Sequence, residues 1–148
     1  MTLKLYLDTN VFVEGFEKQG KAPDIARSVF AMVRSGATTA VISDLVVAEL
    51  LVIPLRTADQ ELIDTYSELF NSPVGYQTFP VDRKVLLEAA RQRAINSGTK
   101  WPDAIHIATA RLQGCRVFLT TDARLLMPPD VLRLTLDSTT IAELESLA

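Results

Sequence analysis

The sequence predicts an α/β fold: a three-layer α/β/α sandwich around a central parallel sheet of four to five strands. Three observations predict it. Short apolar segments alternate along the chain with longer amphipathic ones, which is the order of strand–helix–strand crossover units. The segment Leu5-Tyr6-Leu7 is apolar on both faces, as a strand covered from both sides must be. And 148 residues with 48% hydrophobic and 22% charged content suit one globular domain, residues 1–148, with no repeat, low-complexity tract or linker.

In order, residues 3–7 form the first strand and Val11 to about Lys18 a short helix. Gly20 and Pro23 break the chain. A helix then starts at or just before Asp24 and runs to Arg34, its Ile25, Ala26, Val29, Phe30 and Val33 at the 3,4 spacing of one buried face, with Gly36 as C-cap. Ala40–Ile42 is the second strand, and Ser43 caps a helix from Asp44 to Ile53 that is apolar nearly all round and that Pro54 stops. A polar helix from about Asp59 to Phe70 follows, closed by Asn71-Ser72-Pro73. Tyr76–Pro80 is the third strand, and an Asp82-capped helix runs to about Asn96 and ends at Ser97-Gly98. Pro102 opens a helix from Asp103 to Leu112, and Gly114 ends it. Arg116–Thr120 is the fourth strand; Pro128-Pro129 is an irregular connection; Val131–Thr135 is a fifth, edge strand. Asp137 or Ser138 caps a last helix, Thr140–Leu147.

No apolar run approaches the roughly 18 residues that span a bilayer. The amino terminus lacks a basic region followed by an uninterrupted apolar one, because Asp8 and Asn10 break it, so no secretory signal is expected. A lone Cys115 cannot form an internal disulfide, and a reducing cytoplasm suits it. The formal charge of −3 gives no global attraction to nucleic acid, although the field that matters is the local one at a groove.

Four acids break apolar surroundings. Asp8 terminates the first strand, Glu49 interrupts Leu45–Ile53, Asp103 lies in the first turn of Pro102–Ala108, and Asp122 follows the fourth strand. Each has a plain structural reading. Asp8 and Asp122 can cap helices, each worth about 1 kcal/mol. Asp103 can be a favourable charge at a helix amino terminus. Glu49 is harder to place, because a carboxylate on a buried helix costs several kcal/mol unless it is paired, for example with an arginine, or bound to metal. If the first and fourth strands are neighbours, Asp8 and Asp122 meet at one carboxyl edge, where crevices form in open parallel sheets. Glu49 would then lie about 8 Å down a helix leaving the same edge. Converging carboxylates repel unless divalent cations neutralise them. Oxygen ligation without a cysteine cluster points to Mg²⁺ or Mn²⁺, and such sites act on phosphodiesters.

With those residues in view, the chain resembles PIN-domain ribonucleases, and specifically the VapC-like toxins of type II toxin–antitoxin systems. Tyr6-Leu7-Asp8-Thr9-Asn10, Ile42-Ser43 through Ala48-Glu49-Leu50, Pro102–Ala108 and Thr120-Thr121-Asp122 stand in the family's order, across nearly the whole chain. The resemblance implies a Mg²⁺- or Mn²⁺-dependent endonuclease that cuts single-stranded or loop RNA, with Asp8, Glu49, Asp103 and Asp122 around the metal. It implies Asn10 and Thr121 as residues that orient a carboxylate or water. It also implies a homodimer and a small antitoxin protein that buries a peptide near the acids.

Other residues carry weaker signals. His106 could reach a phosphate, but helix packing is the simpler role. Trp101 could stack an RNA base or anchor a core or interface. Arg83, Lys84, Arg91, Arg93, Lys100, Arg111 and Arg124 are the cations expected to frame a groove. Val11, Phe12, Val13 and Phe16 read as core. Competing functions are a stand-alone nuclease without antitoxin, another Mg²⁺-dependent phosphohydrolase, and a non-catalytic RNA-binding domain. Asp8-Thr9-Asn10 lacks the Asp-x-Asp of haloacid-dehalogenase-like phosphatases, and no Gly-rich turn follows the first strand to suggest a dinucleotide site.

Overall fold

The structure, a computed structural model, describes residues 2–71 and 75–148. Its strands are β1 (Leu3–Leu7), β2 (Thr38–Ser43), β3 (Tyr76–Phe79), β4 (Val117–Leu119) and β5 (Leu132–Leu134). Its helices are α1 (Thr9–Glu17), α2 (Lys21–Arg34), α3 (Asp44–Thr57), α4 (Gln60–Ser67), α5 (Arg83–Ile95), α6 (Trp101–Leu112) and α7 (Thr140–Leu147), with a 3-10 turn at Glu68–Asn71. The strands form one sheet in the order β3-β2-β1-β4-β5, parallel at every pairing. Helices flank it, giving the expected sandwich.

Alternation along β1 divides the core. Tyr6 stacks on Phe118 of β4, at 5.0 Å between centroids, on the side of α6. Leu5 and Leu7 point the other way, toward the core that α1, α2, α3 and α7 complete with Phe12, Val29, Phe30, Val46 and Leu144. A second, smaller cluster joins α5 to α6 through Val85, Ala89, Ala104 and Ala108, whose small side chains let the two helices lie close. No helix among the described residues is long and apolar enough to cross a membrane.

The sequence-based boundaries need several corrections. Pro54 does not stop α3, which continues to Thr57. Proline removes one N–H but its fixed φ suits a helix, and the Thr57 hydroxyl donates to the carbonyl of Ile53. The helix ends instead at Ala58, in the left-handed region with φ 53°, where the Asp59 N–H turns back to the carbonyl of Pro54. Nor is α3 apolar and buried all round: Val52, Ile53 and Leu55 are 50%, 61% and 61% exposed. Phe16, expected in the core with Val11 and Phe12, is 42% exposed, and Val13 is only partly buried. The first turn of α2 begins at Lys21, so Pro23 sits inside the helix start and does not break it. Thr139 takes the N-cap position of α7, with Asp137 accepting from its N–H at 2.8 Å. The turn expected at Asn71-Ser72-Pro73 lies outside the described residues at Ser72 and Pro73.

Ala58 holds its left-handed conformation against a Cβ clash that costs about 1–2 kcal/mol. Ala58→Gly removes that cost, offset in part by the greater freedom glycine has when unfolded. The expected net gain is about 0.5–1 kcal/mol, or roughly 2–3 °C in melting temperature by calorimetry.

Candidate active site

The order β3-β2-β1-β4-β5 places β1 where the strand sequence reverses, between β2 on one side and β4 on the other. A crevice opens beyond the carboxyl ends of the strands at such a point. Asp8 stands there, one residue past β1, and its N–H still donates to the carbonyl of Leu119, extending the ladder. Its buried carboxylate is both a cap and a wall of the crevice. Oδ1 accepts from the Thr9 N–H at 2.9 Å at the start of α1. Oδ2 accepts from the Thr120 hydroxyl at 2.8 Å and more weakly from Asn10 Nδ2 at 3.4 Å. Asn10 in turn accepts the Thr121 N–H at 3.0 Å, which pins the segment after β4 against the start of α1. The hydroxyl that orients Asp8 is therefore that of Thr120. Thr121 contributes its backbone N–H.

Glu49 reaches the same crevice from α3. That helix leaves the carboxyl end of β2, with the Ser43 hydroxyl accepting from the Leu45 N–H at 3.1 Å as its cap. The Glu49 side chain is 33% exposed, so it lies at a wall and not in the interior. Among the described residues no arginine pairs with it. Its Oε1 accepts from the Thr9 hydroxyl at 2.7 Å and from His106 Nε2 at 2.6 Å. Partial burial pushes the carboxyl up, but the contact with His106 and the bond from Thr9 outweigh it and hold Glu49 below the ordinary carboxylate range. His106, for which packing is the simpler expectation beside a phosphate contact, is almost fully buried on α6 and also stands 3.9 Å from Asp8 Oδ1.

Asp103 lies in the first turn of α6, three residues before His106. Burial raises its carboxyl above the ordinary range, and the charges of Asp8, Asp122 and Glu49 add to that shift against the opposing effect of His106. Asp8, Glu49 and Asp122 are thus each within electrostatic reach of Asp103. Asp122 is turned differently from the others. Its Oδ1 accepts from the Arg124 N–H at 2.9 Å and faces Arg124 Nε, which holds it below the ordinary range. No helix follows it, so it closes a turn.

A cavity of about 340 Å³ lies between these elements, lined by Asp8, Glu49, Asp103 and His106 together with Thr9, Asn10 and Thr121. Asp122 is not part of its lining. The sequence reading missed Glu14 and Lys18, which line it from α1 and pair at 3.0 Å. Their i,i+4 spacing is visible in the sequence, but such pairs usually mark a solvated helix face. Lys18 is the cation of this cavity, and none of the seven expected cations lines it. Arg91 and Arg111 bind Glu88 instead, and Arg93 lies over the Trp101 ring at 4.7 Å from its centroid.

Among the described residues no group of three or more His, Cys, Asp and Glu side chains stands close enough to hold an ion as placed. The chemistry of the donor set nevertheless fits a hard divalent cation. Four carboxylates, those of Asp8, Glu14, Glu49 and Asp103, line one cavity, Glu49 Oε2 and the Asp103 carboxylate accept no hydrogen bond among the described residues, and the Asp103 carboxyl is raised first by burial and then by the charge of neighbouring acids, which a cation would offset.

A PIN domain family model matches residues 5–127. No curated protein sequence matches the chain. Among solved structures it is similar to VapBC2 from Rickettsia felis bound to a promoter DNA fragment, with TM-score 0.69 and 18% identity over 91% of this chain and 100% of that one. It is similar to VapC20 from Mycobacterium tuberculosis, a sarcin–ricin-loop-cleaving toxin, with TM-score 0.67 and 15% identity over 81% and 91% of the two chains. FitAcB from Neisseria gonorrhoeae aligns with TM-score 0.65 and 20% identity over 88% and 96%.

The raised Asp103 carboxyl sets a direction for stability. A carboxyl whose folded pKa exceeds its unfolded value favours the fold fully below the unfolded value, and that contribution is lost as pH rises through the folded one. Without divalent cations, Asp103→Asn is therefore expected to raise the melting temperature at pH 7 by on the order of a few degrees. The gain should shrink toward zero as pH falls to the ordinary aspartate range. Equal melting curves at pH 7 in EDTA would count against the crowding.

Proposed function

The chain belongs to the PIN domain family and has a VapC-like fold, and on that footing we propose that it is a metal-dependent endoribonuclease, the toxin of a toxin–antitoxin pair. The observation that carries the proposal is the meeting of Asp8, Glu49 and Asp103 at one cavity, with Asp8 and Glu49 held there by hydroxyl, amide and imidazole donors in place of arginines. Carboxylates so held keep their negative field for a cation. RNA as substrate is supported by the likeness to a sarcin–ricin-loop-cleaving toxin. A small antitoxin partner is supported by the likeness to VapBC structures from Rickettsia felis and Salmonella typhimurium. A homodimer remains part of the same reading.

In this reading Asp8, Glu49 and Asp103 would hold Mg²⁺ or Mn²⁺, and Asp122 would complete the set from the rim. A cation held there would supply charge stabilisation at the phosphate and would make the attacking water easier to deprotonate. The chain's own residues do the positioning. Thr120 and Asn10 hold the Asp8 carboxylate in one orientation, and Thr9 and His106 hold that of Glu49. Lys18, freed from Glu14, would meet a phosphate oxygen of the RNA at the cavity mouth.

Purified protein incubated with structured RNAs, a sarcin–ricin-loop fragment among them, tests the proposal. Cleavage is expected with Mg²⁺ or Mn²⁺ and none in EDTA. Asp8→Asn should lower kcat by about 100-fold or more, and Asp122→Asn should give the smallest loss of the four acid-to-amide changes. Cleavage that persists in EDTA, or that Asp8→Asn leaves undiminished, would sink the mechanism.

A further inference from the structure

Behind Glu49 lies a buried chain of hydrogen bonds that the proposed chemistry does not by itself require. Tyr6 and His106 are 0% and 2% exposed. The Tyr6 hydroxyl accepts the Ser43 N–H at 3.1 Å and lies 2.6 Å from His106 Nδ1. His106 Nε2 lies 2.6 Å from Glu49 Oε1. The proton assignments follow from the partners. An ionised carboxylate only accepts, so Nε2 must carry a hydrogen. With the Ser43 N–H already pointing at the Tyr6 oxygen, the hydroxyl hydrogen is directed to Nδ1, which a neutral imidazole then offers as acceptor.

We propose that Tyr6 is a positioning residue, whose hydroxyl fixes His106 as the Nε2–H tautomer and thereby holds Glu49 with Oε2 turned to the cation site. The same hydroxyl reaches Glu49 by a second route. Ser43 is the junction of β2 and the N-cap of α3, so its bond to Tyr6 also fixes where the helix carrying Glu49 begins. Both hydrogen bonds to Glu49 fall on Oε1, from Thr9 and His106, and Oε2 accepts none among the described residues. A phenylalanine would fill the core and stack on Phe118 as well. The hydroxyl is what directs the imidazole. The cation part of this proposal rests on the metal-dependent reading above; the tautomer part does not.

The sequence contains a single histidine, so its ring nitrogens can be followed without ambiguity. Long-range ¹H–¹⁵N correlation spectra of cation-free protein, at a pH where the ring is neutral, should show the Nε2–H tautomer. Tyr6→Phe should shift the ring toward the other tautomer. By calorimetry, Mn²⁺ affinity should fall about 10-fold in Tyr6→Phe and about 10–100-fold in His106→Leu, the scale seen when partners of metal-binding groups are removed. His106→Gln keeps an N–H donor that needs no tautomer, so adding Tyr6→Phe to it should bring little further loss. A wild-type ring in the Nδ1–H form overturns the proposal. So do ring signals unmoved by Tyr6→Phe, or Mn²⁺ losses from the two substitutions that simply multiply. Should Tyr6→Phe not fold, the wild-type spectrum still decides the tautomer. Wild-type protein that binds no Mn²⁺ overturns the cation reading and the affinity claim with it, while the ring signals judge the hydrogen-bonded chain separately.

Discussion

The parallel pairing of β1 with β4 is the constraint on which the site depends. Once β1 has β2 on one side and β4 on the other, Asp8 and the Thr120–Asp122 segment must emerge side by side. The bond from the Asp8 N–H to the Leu119 carbonyl carries the ladder one residue beyond the strand. Asp8 is therefore fixed by the backbone before its side chain makes any contact. The helices follow from the same edge: α1 starts at Thr9 and α3 at Asp44, each directly after a strand. Glu49 is consequently delivered to Thr9 by helix geometry, one and a half turns along α3.

That delivery creates an electrostatic burden. Asp8, Glu49 and Asp103 share one cavity with Glu14, and among the described residues Lys18 is the one lysine or arginine side chain lining it. The chain answers unevenly. Asp8 receives bonds on both oxygens, Glu49 on one, and Asp103 on neither among the described residues. Glu49 is held down by its donors, and Asp103 is left raised. The crowding is carried mainly by Asp103, at the start of a helix whose N-cap, Lys100, offers no side-chain bond. The least supported acid is thus the one beside exposed helix N–H groups, which favour negative charge.

Much of the fold was legible because its signals are local. Asp8, Ser43, Asp59 and Asp82 cap helices where short polar residues precede apolar periodicity. Pro54 misled because a propensity rule cannot weigh a helix that already has its turns on both sides. The burial of α3 misled because apolar residues do not say which face is covered. The acids were legible because each breaks an apolar run. Tyr6, Thr120 and His106 were not, because a bond between residues 100 apart leaves no mark in either neighbourhood.

Glu88 shows where the acid-in-apolar-surroundings rule ends. It follows Val85-Leu86-Leu87 on α5 and is 5% exposed, as Asp8 is, so burial and local sequence do not separate the two. Their partners do. Glu88 accepts from Arg111 at 2.7 Å, from Gln92 at 3.1 Å and from Arg91 at 3.2 Å, and two guanidinium groups cancel its charge. It ties α5 to α6, and its field is spent on that contact. Among the described residues Asp8 accepts hydrogen bonds only from a backbone N–H, a hydroxyl and an amide, which orient a carboxylate without neutralising it. A buried acid held by cations is a brace, and one held by neutral donors retains its attraction for something that is not in the chain. By that criterion Asp8 and Glu88 fall on opposite sides, although the sequence presents them alike.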